Sequence, residues 1–191
     1  MYFFSALLRL ILRKTHSVFF VLRIIKLKML FPGIVVDFKS KIESHCSIIC
    51  IKGGKLNISN SQISFGTKIV ADTGSNLSID NSFIGRNCVI TSKEKITISG
   101  CLIAEMVVIR DQDHKPGIIN YKDGKEEFIT APIEIEENVW IASKATILKG
   151  VHIGKSSVIA ASSVVKKNIP ASEIWGGIPA QFIKKVNVEV S

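Results

Sequence analysis

Ile135, Ile141, Ile147, Ile153, Ile159 and Val165 recur every sixth residue without a break. The fifth position of each hexad is small or slim (Val139, Ala145, Val151, Ser157, Ser163), and the second is often small (Ala142, Gly154, Ala160). Such a period is neither the roughly 3.6 of an amphipathic helix nor the roughly 2 of a half-buried strand. It fits a chain wound into a triangular coil. Each hexad makes one flat side with its aliphatic residue pointing into the shaft, three hexads close a turn, and successive turns stack as parallel strands. The spacing recurs upstream in Ile42 and Ile48, Ile63 and Ile69, Ile84, Ile90 and Ile96, and Ile103 and Ile109, with the phase slipping between groups. Those slips predict corner insertions or shortened coils. The chain therefore reads as all-β, a parallel β-helix over 33–170, with a basic N-terminal segment 1–32 and a C-terminal tail 171–191.

At 191 residues the chain is long enough for one domain with a sizeable core. A formal charge of +9 and a pI near 9.5 suit a polyanionic small molecule, an anionic membrane or nucleic acid. Nucleic acid is the weakest of the three, because no zinc-finger spacing and no basic–aromatic interleaving is present. Cys46, Cys50, Cys88 and Cys101 form no CxxC pair. They read as reduced, mostly buried thiols of a cytoplasmic protein, with no metal expected.

Residues 1–31 contain Arg9, Arg13, Lys14, Arg23, Lys26 and Lys28 and no acid, interleaved with aliphatic and aromatic residues. No charge-free run reaches the roughly 20 residues that span a bilayer, and charges break the apolar stretch expected of a cleavable signal. Two readings stay open. One is a basic amphipathic helix on the inner face of an anionic membrane. The other is a helix packed on the end of the coil or on a neighbouring subunit. Phe31-Pro32-Gly33 ends the segment.

From Ile34 to Ile109 short strands alternate with Gly53-Gly54, Asn60-Ser61, Asp72-Thr73-Gly74 and Asp80-Asn81, residues that suit tight corners. At 110–131 the pattern stops in a polar excursion that includes Arg110-Asp111-Gln112-Asp113-His114 and the charged run Tyr121-Lys122-Asp123-Gly124-Lys125-Glu126-Glu127. A loop of this length thrown out of a regular solenoid points to function.

Three stretches carry a resemblance. They are Asp111-Gln112-Asp113-His114, the run from Ala131-Pro132-Ile133 through Asn138-Val139-Trp140-Ile141-Ala142-Ser143, and the run from Val158 to Pro170 that closes in Gly176-Gly177-Ile178-Pro179-Ala180. The chain resembles the hexapeptide-repeat acyltransferases over roughly residues 45–185. It is most like the bacterial surface-polysaccharide O-acetyltransferases. Ala142, Ala160 and Ser162 stand where that family usually has glycine.

The resemblance implies a left-handed coil, a homotrimer with the site between neighbouring coils, acetyl-coenzyme A as co-substrate, and a sugar or lipid-linked glycan as acceptor. It makes His114 the general base, a task that an imidazole with an ordinary pKa near ~6.5 suits at neutral pH. Asp111 and Asp113 are then candidates to orient the imidazole or hold an acceptor hydroxyl, or else to bond their own backbone as turn formers. Trp140 falls at an outward hexad position and would wall the site or pack between subunits. By motif position Ala142, Ser143 and Ala161 line the pantetheine arm, and Lys166, Lys167 and Lys184 meet the phosphates. O-acetylation of a surface polysaccharide is the leading reading. N-acetylation of an amino sugar and a non-catalytic scaffold are its rivals. A three-histidine zinc site is disfavoured because His45, His114 and His152 are dispersed along the coils; His152 reads as simply solvated.

Overall fold

The computed structural model describes residues 18–120 and 125–186, the side chains of 117–120, 125 and 126 excepted. Three parallel sheets wall a triangular shaft. Sheet A stacks Ile34–Val36, Lys55–Ser59, Asn76–Asp80, Lys95–Ser99, Ile133–Ile135 and His152–Ile153. Sheet B runs from Lys41–Ile42 through Gln62–Ile63, Phe83–Ile84, Leu102–Ile103 and Trp140–Ile141 to Val158–Ile159 and Glu173–Gly177. Sheet C stacks Ser47–Cys50, Lys68–Ala71, Val89–Ser92, Val108–Arg110, Thr146–Ile147 and Val164–Val165. The chain visits A, B and C in turn, so each coil lays one rung on every wall.

The hexad isoleucines fill the shaft in register. On sheet B, Ile42, Ile63, Ile84, Ile103, Ile141 and Ile159 stack one above another. On sheet C the column is Ile48, Ile69, Ile90, Ile109, Ile147 and Val165. All are buried. Each such side chain contributes about 1.5–3 kcal/mol relative to exposure, which makes the repeat itself the main stabilising term.

The slipped phase has two structural causes. At the corner from A to B, the step between inward residues is six from Val36 to Ile42 and from Ile135 to Ile141, but five from Ile58 to Ile63, Ile79 to Ile84 and Ile98 to Ile103. At the corner from C to A the step stretches to eight, from Ile48 to Leu56 and from Ile69 to Leu77, with Gly53 and Gly74 turning at φ +89° and +76°. Asn60, Asn81 and Asn138 take the left-handed conformation at the A-to-B corner, a region asparagine tolerates better than most residues. The small fifth positions are buried corner posts. Ser61 Oγ accepts the Ser82 amide (3.0 Å) and Ser82 Oγ accepts the Cys101 amide (3.0 Å), stitching coil to coil.

Several boundaries differ from the sequence reading. The excursion at 110–131 leaves from the C-to-A corner and is an antiparallel hairpin, Gln112–Asn120 against Lys125–Thr130, rather than an open loop. The segment read as a tail from 171 continues the solenoid. Glu173–Gly177 adds a rung to sheet B, and Ala180–Lys185 folds back on it antiparallel. At the other end residues 18–30 are helical. Ile24 is buried against the first coil, Leu27 and Phe31 pack beside it, and Arg23 Nη1 donates to Ile42 O (2.9 Å). Among the described residues no helix is long and apolar enough to cross a membrane. Residues 1–17 of the basic segment lie outside the described residues.

The four cysteines carry free thiols, three of them buried. Burial pushes Cys88 and Cys101 up to about 11. Their thiols donate to the Ala104 and Glu136 carbonyls (both 3.1 Å), so they act as corner posts rather than nucleophiles.

Candidate active site

The hairpin that carries His114 is fixed at its root. Asp111 is fully buried and reaches into the coil below, where its carboxylate accepts Ser92 Oγ (2.7 Å) and the Lys93 and Glu94 amides (2.8 and 2.9 Å). The Ala131 amide donates to Asp111 O (3.0 Å), closing the neck. Gln112 Nε2 donates to Thr91 Oγ1 (3.1 Å). Three residues beyond this anchor, His114 is exposed and faces Phe128 across the hairpin, ring centroids 4.5 Å apart. The Lys93 ammonium sits 3.9 Å from the centre of the Phe128 ring.

Asp113, half-exposed, is paired with Lys149 (2.6 Å). The two aspartates therefore part company. Asp111 is a buried anchor, not a group available to a substrate, because three donors already saturate it within the fold. Asp113 leans on the coil above. Among the described residues neither carboxylate bonds the imidazole, which corrects the expectation that one of them orients it. His152 also departs from its solvated reading: its Nε2 lies 2.9 Å from Glu136 Oε1. That hydrogen bond, with one from the Lys155 amide, holds the Glu136 carboxyl below its ordinary range.

The alanine and serine candidates gather at another edge. Ala142 and Ser143 form one corner from B to C, and Ala160, Ala161 and Ser162 form the corner stacked on it, joined by Ser162 N to Ser143 O (2.9 Å). Gly176 follows in the next rung. A Cβ there would lie 3.0 Å from the Ala160 methyl, so the glycine accommodates the alanine that replaces the family's usual residue. Trp140 is 50% exposed and points outward from sheet B beside this corner. Lys166 and Lys184 are exposed. The Lys167 ammonium lies 4.8 Å from the Trp175 ring centre and 3.3 Å from Gln181 Oε1.

One chain thus presents two half-sites. His114 projects from the C-to-A edge of sheet C, where Lys166 and Lys167 also lie, while the alanine corners flank its B-to-C edge and Trp140 faces outward from the adjoining sheet B. The outward face of sheet C is mixed, with Ile49, Val70, Val89, Val108 and Val164 stacked among Ser47, Lys68, Thr91 and Thr146. Asn57, Ser78, Thr97 and Glu134 keep sheet A polar. Among the described residues no group of three His, Cys, Asp or Glu converges as a metal site. The sequence did not single out Phe128, Lys93 or Lys149. Only hairpin register and coil stacking bring them to the hairpin that carries His114, and no local motif marks them.

Comparison with known proteins agrees with a solenoid of six-residue repeats. The family described as bacterial transferase hexapeptide (six repeats) matches residues 132–167. Galactoside O-acetyltransferase of Escherichia coli is 37% identical over 116 residues, 60% of this chain and 56% of that protein. A second Escherichia coli protein, WbbJ, whose name assigns it to O-acetyl transfer in lipopolysaccharide biosynthesis, is 33% identical over 120 residues, 58% of this chain and 60% of that protein. The matched stretch thus spans less than two thirds of either relative. In fold the chain matches AntD, an N-acyltransferase from Bacillus cereus solved with dTDP-4-amino-4,6-dideoxyglucose and coenzyme A. The TM-score is 0.70 at 18% identity, covering 86% of this chain and 90% of that one. Over these stretches the chain is similar to the hexapeptide-repeat acyltransferases.

Proposed function

We propose that the protein transfers an acetyl group from acetyl-coenzyme A to a sugar hydroxyl in surface-polysaccharide biosynthesis, with His114 as general base. The observation that carries this reading is an exposed imidazole held three residues from a buried carboxylate anchor. His114 takes the proton as the sugar oxygen attacks the thioester carbonyl. The carbon–sulfur bond then breaks, and the imidazolium returns the proton to the departing thiolate. The small alanine corners, half-buried at 142 and 160 and exposed at 161, leave room beside Ser143 for a narrow pantetheine arm. Lys166, Lys167 and Lys184 supply positive charge for the phosphates. The experiment is acceptor-dependent thiol release from acetyl-coenzyme A across a panel of sugars and lipid-linked glycans. N-acetylation of an amino sugar is the second reading, favoured by the AntD likeness and using the same base. A panel that responds only to amino sugars would replace the first reading with it.

The split half-sites support a homotrimer with sheet C turned to the three-fold axis, so that one copy's hairpin meets the next copy's B-to-C corner. Mixing His114→Ala chains with Trp140→Ala chains, each inactive alone, should recover part of the wild-type rate, since some interfaces then carry both native residues. No recovery in a demonstrated mixed trimer places the whole site within one chain.

Residues 18–30 support the membrane reading of the N-terminal segment. The helix buries Ile24 but exposes Phe19 (57%), Leu22 (54%) and Met29 (80%) beside Lys26 and Lys28. This apolar face with a basic border suits an anionic bilayer surface. The protein should float with vesicles containing phosphatidylglycerol and not with phosphatidylcholine alone, and Phe19→Asp with Leu22→Asp should abolish flotation. Equal binding to both vesicles, or to neither, would favour the packing alternative.

A further inference from the structure

The three shortened corners described above are consecutive, and this has a spatial result. Below them Asp37-Phe38-Lys39-Ser40 takes the full length, as does Glu136-Glu137-Asn138-Val139 above. Removing one residue from each of three adjacent corners cuts a notch into the A-to-B edge. At the roughly 4.8 Å spacing of stacked strands it is about 14 Å tall. A cavity of about 830 Å³ occupies this place.

Its lining is amphipathic. On the sheet B side, Phe83, Leu102 and Trp140 stack in register, 40%, 51% and 50% exposed. On the corner side stand the exposed amides of Asn60 and Asn81, linked to each other by Asn60 Nδ2 to Asn81 Oδ1 (2.8 Å). Lys39 and Lys41 close the lower end. A peptide strand has nothing to pair with here, because every coil's backbone is already bonded to the coils above and below. An amphipathic helix wants a continuous apolar trough, whereas half of this notch is amide. Sugar rings offer apolar faces to stack on an aromatic and a rim of hydroxyls for amides, and the two lysines suit a carboxylate or phosphate.

We propose that the notch binds the two or three sugar units adjoining the reacting residue of an extended acidic glycan. Trp140 belongs to both the notch and the candidate active site, which sets the direction: the reacting sugar lies at the Trp140 end and the chain descends towards Lys39 and Lys41. This proposal rests on the acyl-transfer reading for its substrate class.

Phe83→Ala and the double variant Lys39→Glu, Lys41→Glu change exposed side chains two or more coils below Trp140, so the fold and His114 stay intact. With an acceptor supplied as monosaccharide and as trisaccharide, wild-type kcat/KM should favour the trisaccharide. Phe83→Ala should remove about tenfold of that preference through KM, leaving the monosaccharide rate unchanged. The lysine variant should do so only for acidic chains. Equal kcat/KM for both lengths, or equal losses on both, would overturn the proposal. Direct binding of an array of neutral and acidic oligosaccharides to the same proteins separates the notch from catalysis. Retention of acidic chains that Phe83→Ala weakens supports it even if no acyl transfer is found. Retention of none, or retention indifferent to both variants, overturns it.

Discussion

Replacing His114 by alanine lowers acceptor-dependent thiol release by on the order of 100- to 10,000-fold, the usual contribution of a positioned general base. Coenzyme A affinity stays near the wild-type value, because the ring lies on the hairpin and not at the alanine corners. The imidazole projects from a hairpin whose root is buried and hydrogen-bonded, so removing the ring leaves the hairpin in place and the loss falls on kcat. Both should be measured side by side, by thiol detection and by coenzyme A titration. Release that persists in the variant moves the base elsewhere, with Asp113 the next candidate. Loss of coenzyme A binding along with rate would show that the hairpin also holds the donor.

Asp111→Ala acts on the same reaction by another route and costs stability first. It strips a fully buried acceptor from Ser92 Oγ and from two backbone amides, leaving three donors without partners. Orphaning buried groups of this kind costs about 3 kcal/mol. The urea midpoint should fall accordingly, and the hairpin root should loosen, so kcat drops although Asp111 never meets the substrate. Asp111→Asn keeps one acceptor oxygen and should recover part of both. If Asp111→Ala lowered kcat with no change in unfolding midpoint, the carboxylate would have a direct part in catalysis that its burial argues against.

The shaft was legible in the sequence because burial imposes its period directly. Every sixth residue from Ile135 must enter the core, and small fifth positions must fit under a corner. The excursion was legible as an interruption, but its hairpin pairing was not, since cross-strand register at His114 and Phe128 leaves no periodic trace in so short a polar run. The paired roles expected of Asp111 and Asp113 came apart for a reason outside the local sequence. Which carboxylate turns inward depends on the coil beneath, where Ser92 and the following amides wait eighteen or so residues earlier. The phase slips were visible as breaks in the six-residue spacing; that they are five-residue steps on one edge in adjacent coils emerges only when the walls are stacked. The membership of 173–177 in sheet B was hidden because Trp175, not an aliphatic residue, takes the shaft position there.

The two ends of the prism carry a last consequence. A stack of identical rungs has no intrinsic stopping point: the first and last coils would offer bare strand edges to another copy, the geometry from which fibres grow. Here the lower mouth is closed by helix 18–30, whose Ile24 plugs the shaft and whose Arg23 occupies a carbonyl of the first rung. On sheet B the upper edge ends in Ala180–Lys185, a strand running the wrong way for the coil to continue and bearing two lysines at its end. The terminal segments, chemically the least regular parts of the chain, act as chain terminators that keep a self-templating architecture finite.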